Sequence, residues 1–414
     1  MKNTEQRARD ADVSIVKWDI EADENFQKQL PSVSVNDAAN RYGRNRGIFY
    51  SSAARGFFVV TRHGMITEVL NNPELFSSRE GTHLFLREPP AHRPLPMQMD
   101  PPEHTKVRML LAPFFTPARV QGKYKEEARA MSRDIIKRVA ALGVCDAIGD
   151  LGEPIAAAIT LNNMGVSPAL ADELKGAVKL RARPSTMGED RSNYQRGVAT
   201  IKDVFIDILA QRRRHPCNDI PSALLQAKID GEPLADDLLL NLCCTVFAAG
   251  VHTSSTQLGF IYYYLAREPS LRRRIVEDPA CIPRAIEELM RYESSAVLIG
   301  RIVTRDVMFH GVQFEAGDRL MLAQSAGNRD PAVFSDPGRI DFDRQEKLHL
   351  SLGGGPHRCI GSYQARMIMQ IALEEWHQSI PDYTLGDMSS VTYELSANGR
   401  MSAVPLVFEP KDIH

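Results

Sequence analysis

The most informative stretch of the chain reads Leu352-Gly353-Gly354-Gly355-Pro356-His357-Arg358-Cys359-Ile360-Gly361. Glycine, histidine and cysteine alternate in it at two-residue intervals, although the 414 residues include only 6 Cys and 11 His. Glycine permits positive φ and lets a backbone approach a flat ligand closely. A helix that begins just after Cys359 would direct backbone N–H groups at its sulfur and favour the thiolate. The stretch therefore indicates a thiolate suited to be the axial protein ligand of a haem iron.

Two other interpretations use the same residue types. Cys359 could be a structural cysteine within a glycine-rich turn. It could also belong to a zinc site, but structural zinc needs four ligands and no second cysteine lies at Cys-x-x-Cys spacing from it. The haem interpretation is favoured because it accounts for the glycines, the histidine and the cysteine together.

The same residues resemble the haem-binding loop of the cytochrome P450 family, Phe-Gly-x-Gly-x-His-x-Cys-x-Gly-x-x-Leu-Ala-Arg. Leu352 replaces the family's phenylalanine, and Gln364 replaces its leucine on the following helix. The first change affects the redox potential more than ligation, since packing around a ligand tunes the metal while the thiolate holds it. The resemblance implies that Cys359 ligates the iron of haem b and that Leu352 and Gly353 contact the cofactor.

The resemblance also implies the cytochrome P450 fold, which is mainly α with a small β region and has a long central helix over the haem. We expect a single domain over residues 1–414. Its β-rich portion should cover about 40–100 and 295–325 plus the C-terminal strands, and its α-rich portion about 100–294 and 360–380. The longest helix is predicted to run from near Pro233 to Arg267, as a buried helix and not a membrane span.

Charge and cysteine content exclude several classes of protein. The 50 lysines and arginines against 52 aspartates and glutamates give a formal charge of −2, so nothing suggests nucleic acid or an anionic membrane as a partner. Met1 to Val13 is charged and lacks an apolar run, which predicts neither a signal peptide nor a membrane anchor. Few cysteines, two of them adjacent at Cys243 and Cys244, disfavour a disulfide framework. We expect a soluble cytoplasmic enzyme.

Glu288-Leu289-Met290-Arg291 matches the family's Glu-x-x-Arg and places both charged side chains on one face of a helix. Taken alone, this pair is most simply a surface ion pair. The family adds a second arginine to form a buried network, and Pro337-Gly338-Arg339 lies at the corresponding place. The resemblance implies that Glu288, Arg291 and Arg339 support folding and haem retention.

The propionates of a haem require cationic or hydrogen-bonding groups at the rim of the site. The segment from Asp100 to Arg108 resembles the start of the family's C helix, where residues at i and i+4 reach a propionate. By this correspondence, the rim residues are His104, Arg108, Arg301 and His357.

Oxygen chemistry is expected at Ala249-Gly250-Val251-His252-Thr253, which resembles the family's Ala/Gly-Gly-x-Asp/Glu-Thr. The resemblance implies that Ala249 and Gly250 lie beside the cofactor and that the Thr253 hydroxyl serves oxygen activation. His252 stands where the family usually has a carboxylate that relays protons. It could replace that acid, since imidazole shuttles protons near neutral pH; it could instead be a structural histidine, or a distal iron ligand.

The substrate pocket is predicted by the same correspondence. Phe309 to Gln313, Ile380 to Asp382 and Val404 to Val407 look most like the bacterial camphor-hydroxylase branch, which implies a small hydrophobic, terpenoid-like substrate. By itself His92 is most simply an exposed loop histidine; in the camphor branch the matching position supplies one directed polar group, as expected for a pocket that orients a small apolar ligand. The remaining predicted pocket residues are Leu95, Thr245, Ala248, Val297, Leu298, Ala397 and Asn398.

The function implied is a haem-thiolate monooxygenase that hydroxylates its substrate with O2 and two electrons. The electrons would come from a [2Fe-2S] ferredoxin with its NAD(P)H-dependent reductase, and Lys106, Arg108 and Arg358 could attract this acidic partner. Two alternatives remain open at the level of sequence. One is a peroxide-driven oxygenase, which the altered acid at His252 makes conceivable; the other is a non-catalytic haem-binding carrier or sensor.

Overall fold

The structure is a computed structural model that describes residues 2–20, 28–81, 93–182, 192–346, 348–395 and 398–411. Contacts between residues group the chain into two units. Unit 1 comprises residues 1–105, 287–359 and 392–402, and unit 2 comprises residues 106–286, 360–391 and 403–414. The single domain expected from the sequence stays a prediction, and each unit is described by itself.

Helices dominate the described chain, as predicted. The helices are α1 Lys2–Asp10, α2 Pro31–Tyr42, α3 His63–Leu70, α4 Glu103–Leu111, α5 Pro117–Arg119, α6 Lys125–Ala140, α7 Glu153–Asn163, α8 Ala171–Ala182, α9 Ser192–Arg214, α10 Ile220–Gln226, α11 Asp236–Arg267, α12 Pro269–Glu277, α13 Ile282–Tyr292, α14 Gln324–Gly327 and α15 Ser362–Ser379. The strands are β1 Ser14–Val16, β2 Ile48–Ser51, β3 Phe57–Val60, β4 Phe76–Ser77, β5 Val144–Asp146, β6 Lys228–Ile229, β7 Glu232–Pro233, β8 Leu298–Val303, β9 Val307–Phe309, β10 Val312–Phe314, β11 Arg319–Ala323, β12 Thr384–Leu385, β13 Tyr393–Leu395, β14 Gly399–Met401 and β15 Pro405–Val407.

Unit 1 contains a six-stranded sheet in the order β1-β2-β3-β11-β8-β4. Strand β3 explains why both faces of this sheet are covered. Phe57 and Val59 pack into one buried cluster with Trp18 and Phe49, whereas Phe58 and Val60 pack into another on the opposite face, because side chains alternate along a strand. A strand buried on both faces has a continuous apolar sequence, as Phe57 to Val60 does.

Unit 2 is built around α11, whose 32 residues extend about 48 Å at the helical rise. Helices α7 and α15 both pack against α11 and against each other. The Tyr262 hydroxyl of α11 donates a hydrogen bond to the carbonyl oxygen of Ala372 in α15 (3.2 Å). A small antiparallel sheet in the order β12-β15-β5 lies in the same unit. The predicted mainly α fold with a small β region is confirmed.

The start of α11 differs from the prediction. Pro233 lies in strand β7, which pairs with β6 through a hairpin turn containing Gly231 at φ 91°. The helix begins three residues later, at Asp236, where two aspartates complement the positive end of the helix dipole. In the described ranges, α11 is the one helix long and apolar enough to cross a membrane, and more than half of its most apolar stretch is buried.

Candidate active site

The cysteine loop is shaped by two glycines in the left-handed region, Gly353 at φ 68° and Gly355 at φ 58°. A Cβ atom on Gly355 would lie 2.1 Å from the carbonyl oxygen of Leu70, so only glycine fits there. The backbone N–H of Cys359 donates to the carbonyl oxygen of Leu352 (2.8 Å), which closes the loop. Cys359 is exposed, in contrast to four of the other five cysteines.

This loop fits a thiolate ligand for haem. Cys359 is an exposed residue in a closed backbone turn, and α15 begins at Ser362, three residues further along the chain. In the described part of the chain, no group of three His, Cys, Asp or Glu side chains is arranged to hold a metal ion. Structural zinc needs four protein ligands, whereas a single protein donor such as a cysteine thiolate would be enough to hold a haem iron. The donor set therefore suits haem and not zinc.

Arg301 on β8 is the buried cation expected at a propionate. Arg301 is 2% exposed, and its Nη1 donates to the carbonyl oxygen of Gly300 (2.7 Å). Burial lowers the pKa of its guanidinium to about 10, a shift that the nearby Asp100 carboxylate opposes. Among the described residues, Arg301 forms no ion pair, and a buried guanidinium without a paired carboxylate suits an anionic ligand.

The two predicted rim histidines lie close together although they are far apart in sequence. The ring centroids of His104 and His357 lie 4.1 Å apart with an interplanar angle of 39°. Nε2 of His357 lies 3.2 Å from the hydroxyl of Ser78, whose backbone N–H donates to Asp100 (2.8 Å). Asp100 therefore interacts with Arg301 through its charge and with Ser78, the hydrogen-bond partner of His357, through a backbone N–H.

Arg108, the fourth predicted rim residue, is half-buried and lies on the same helix as His104, α4. The two are four residues apart, so their side chains lie on one helix face. Of the other predicted cofactor contacts, Leu352 and Gly353 are half-buried in the cysteine loop.

The segment predicted for oxygen chemistry lies in the middle of α11. The Thr253 hydroxyl donates a hydrogen bond to the carbonyl oxygen of Ala249 (2.8 Å), which leaves its lone pairs able to accept from water. Ala249 is exposed and His252 and Thr253 are half-buried, although most residues of this helix are buried.

Gly250 packs against a neighbouring helix. A Cβ atom on this residue would lie 2.9 Å from Thr160 Oγ1 of α7. Its absence lets the two helices approach closely. The structure therefore gives Gly250 a packing role in unit 2, and its contact with the cofactor stays a prediction.

The Glu-x-x-Arg network is present, but its second arginine is not the one predicted. Arg291 donates from Nη2 to Glu288 Oε1 (2.7 Å) and from Nε to Oε2 (2.8 Å), and Arg344 Nε lies 3.1 Å from both carboxylate oxygens. The prediction of Arg339 as a side-chain member was wrong. Its side chain is exposed, and it contributes its backbone carbonyl, which accepts from Arg291 (3.1 Å) and Arg344 (3.0 Å).

The predicted pocket residues fall into both units. In unit 1, Val297 and Leu298 are fully buried in the same cluster as Trp18, and Asn398 forms a β-bridge with Ala296. Leu95 is half-buried. In unit 2, Ala248 is buried on α11, and the Thr245 hydroxyl donates to Asn241 Oδ1 (3.2 Å). His92 and Ala397 lie outside the described residues.

One contact near the site was missed from the sequence. Gln364, noted there only as a departure from the family pattern, accepts a hydrogen bond at Oε1 from Asn163 Nδ2 (2.7 Å), and both side chains are buried. The substitution of a polar for an apolar residue was the available signal. Its partner, 201 residues away in sequence, had no local signature.

Comparisons with known proteins agree with this geometry. The sequence profile described as "Cytochrome P450" matches residues 24–280 and 281–378. A probable cytochrome P450 127A1 of Sinorhizobium fredii is 33% identical over 82% of this chain and 81% of that protein. The mycinamicin IV hydroxylase/epoxidase of Micromonospora griseorubida is 31% identical over 80% and 83% of the two chains. The solved structure of the bottromycin biosynthetic protein SalCYP, in truncated form, has a TM-score of 0.80 at 28% identity over 94% of this chain and 100% of that chain.

Proposed function

The chain belongs to the cytochrome P450 family, and we propose that it is a haem-thiolate monooxygenase in which Cys359 ligates the iron. The observation that carries the proposal is the cysteine loop, with its exposed cysteine and its two left-handed glycines. Haem b bound by a thiolate supplies the chemistry, since it activates O2 and favours cleavage of the O–O bond. The remaining work falls to residues of this chain.

His104, Arg108, Arg301 and His357 are proposed to bind the two propionates. Arg301 supports this role because it is a buried cation without an ion-pair partner among the described residues. The His104 and His357 rings, in contact with each other, would each offer a nitrogen to the same anion. Charge-assisted hydrogen bonds of this kind are the strong ones in proteins.

Thr253 and His252 are proposed to deliver protons. Because the Thr253 hydroxyl donates to Ala249, its oxygen is oriented to accept a hydrogen bond from a water molecule. The half-buried His252 directly precedes it in the chain, and an imidazole is a side chain that can accept and release a proton. His252→Ala should then increase the peroxide released per electron consumed; unchanged release would remove His252 from the relay.

We propose a small hydrophobic, terpenoid-like substrate. The proposal is supported by the apolar character of most residues in the predicted set, among them Ala248 in unit 2 and Val297 and Leu298 in unit 1. Relatives carry names as different as steroid C26-monooxygenase, from Mycobacterium tuberculosis, and cytochrome P450-terp, from a Pseudomonas species. A panel of terpenoids, steroids and macrolides, scored by the change in haem spin state on binding, would distinguish these classes.

A [2Fe-2S] ferredoxin with its reductase is proposed as the electron donor. Arg358 is exposed and Arg108 is half-buried, so both can contribute positive potential, whereas the exposed Lys106 pairs with Asp230, which offsets its charge. Attraction to an acidic partner accelerates encounter and weakens as salt screens it. The rate of reduction by ferredoxin should therefore fall as ionic strength rises, and a salt-independent rate would contradict this docking.

The first experiment is the carbon-monoxide difference spectrum of the reduced protein. Wild type should show the strongly red-shifted Soret band of thiolate ligation, and Cys359→Ser should lose it. Cys217→Ser is the matched control, because Cys217 is the other exposed cysteine. A wild-type band at the position typical of neutral axial ligands would overturn the proposal.

Peroxide-driven oxygenation is a second candidate, favoured by the histidine that replaces the usual acid at position 252. The two functions differ in their source of oxygen. Product that forms with hydrogen peroxide at least as fast as with O2, ferredoxin and reductase would favour this candidate.

A further inference from the structure

A buried polar cluster lies between helices α7, α11 and α15 of unit 2. It consists of Thr160 and Asn163 on α7 and Gln364 on α15, which are 3%, 4% and 5% exposed. Asn163 Nδ2 donates to Gln364 Oε1 (2.7 Å). Buried polar side chains between packed helices are costly unless each finds a hydrogen-bond partner.

Two oxygens of this cluster have no hydrogen-bond partner in the described protein. They are Thr160 Oγ1 and Asn163 Oδ1. The two residues are three apart on α7, so their side chains lie on the same helix face. A hydroxyl and an amide oxygen on one helix face can be joined by a water molecule that donates to the amide oxygen and accepts from the hydroxyl.

The cluster lies directly against the segment proposed to handle oxygen. Thr160 Oγ1 occupies the space beside Gly250, where a Cβ atom would come within 2.9 Å of it. Ser254, one turn further along α11 on the face of Gly250, is also buried, so the polar character continues along that helix. Ala249 and Thr253 precede and follow this contact in the chain.

We propose that Thr160 and Asn163 bind a buried water molecule, and that this water, with Gln364 holding Asn163 in place, positions the Gly250 region of α11. This rests on the proposed function of Thr253. Thr160, Asn163 and Gln364 are positioning residues, since they act through α11 and not on the reacting atoms. The family's leucine at position 364 could not hold the Asn163 amide, so the device is tied to the glutamine of this chain.

The direct test is a crystal structure of the haem-loaded protein at a resolution that shows ordered water. Water within hydrogen-bond distance of both Thr160 Oγ1 and Asn163 Oδ1 is expected in wild type. Thr160→Val preserves the shape of the side chain and removes its hydroxyl, so the water should be lost. A dry site in wild type, or a direct hydrogen bond between the two side chains, would overturn the proposal.

The functional test needs no substrate. Dithionite-reduced protein is mixed with air-saturated buffer in water and in D2O, and its return to the ferric state is followed by stopped flow. Thr160→Val should change this rate about fivefold, which corresponds to about 1 kcal/mol, the usual net strength of one hydrogen bond, and should alter the solvent isotope effect. Thr160→Ser retains the hydroxyl and should restore wild-type values.

A separate readout distinguishes failure of this inference from failure of the proposed function. Thr160→Val should keep the thiolate-type carbon-monoxide spectrum, because Thr160 is not among the residues proposed to hold the haem. If Thr160→Val keeps this spectrum and its oxidation rate and solvent isotope effect equal those of wild type, the positioning role is overturned. The haem-thiolate assignment would then remain intact. Gln364→Leu should change the oxidation rate as Thr160→Val does. A wild-type rate in Gln364→Leu would show that Gln364 does not help to position α11.

Discussion

Arg344 Nε lies 3.1 Å from both carboxylate oxygens of Glu288, and the two side chains are buried. Arg344 also donates to the backbone carbonyls of Ser335 (2.5 Å) and Arg339 (3.0 Å), so it ties an irregular segment to helix α13. Removing one partner of a buried ion pair leaves the other charge uncompensated. The stability of this part of unit 1 therefore depends on Arg344.

Arg344→Leu should lower the free energy of unfolding by about 3 to 5 kcal/mol, the usual cost of breaking a buried pair. Arg339→Leu is the matched control, because the Arg339 side chain is exposed and its carbonyl is retained; it should cost less than about 0.5 kcal/mol. Urea unfolding followed by circular dichroism measures both. Equal losses in the two variants would refute the assignment of Arg344 to the network.

Arg301→Leu should weaken haem binding roughly tenfold or more, the effect of losing one charge-assisted hydrogen bond. The apoprotein should not be destabilised in the same way, because the substitution removes a buried cation without an ion-pair partner in the described chain. Transfer of haem to apomyoglobin measures retention, and Arg301→Lys should retain part of it. Unchanged haem transfer from Arg301→Leu would show that the guanidinium does not contact a propionate.

Gly355→Ala should abolish the thiolate-type carbon-monoxide spectrum in most of the protein. At φ 58°, an alanine is strained, and its Cβ atom would collide with the Leu70 carbonyl at 2.1 Å. Gly354→Ala is the matched control, since its φ of −155° suits any residue and its nearest neighbour is a side-chain carbon of Leu70 at 3.2 Å. The loop geometry would be wrong if both variants kept full thiolate ligation.

The buried His377 makes stability depend on pH. Nδ1 donates to the Leu373 carbonyl (2.8 Å), and Nε2 lies 3.0 Å from the Tyr383 hydroxyl, which can donate to it when the ring is neutral. Burial, supported by the charge of Arg272, lowers its pKa from 6.5 to about 4. Between these values the unfolded chain binds a proton that the folded chain does not, so stability is full above pH 6.5 and decreases as the pH falls toward 4, by about 3 kcal/mol.

Urea unfolding at several pH values between 4 and 7 measures this effect. In His377→Gln the contribution of this residue should disappear, so the slope of stability against pH should be smaller than in wild type. An identical slope in the two proteins would show that His377 titrates normally in the folded state.

What could be predicted from the sequence was the chemistry of contiguous residues. The spacing of glycine, histidine and cysteine from Gly353 to Cys359 predicts a tight loop. The structure has both Gly353 and Gly355 in the left-handed region, which shapes this loop. Helix α11 was likewise predictable from its apolar content, although its start was not. Proline suits the first turn of a helix but also an edge strand. In the structure Pro233 lies in a strand, in a hairpin with Lys228 and Ile229.

The sequence by itself determined the cysteine loop, the long helix α11 and the mainly α class. Each of these depends chiefly on interactions between near neighbours in the chain. Only the tertiary structure decided which arginine enters the Glu288 network, since Arg339 and Arg344 are five residues apart in an irregular segment and the backbone path alone turns Arg344 inward. The same holds for the pairing of Asn163 with Gln364, residues on two different helices. Such contacts depend on how helices pack, and packing joins residues that no local pattern connects.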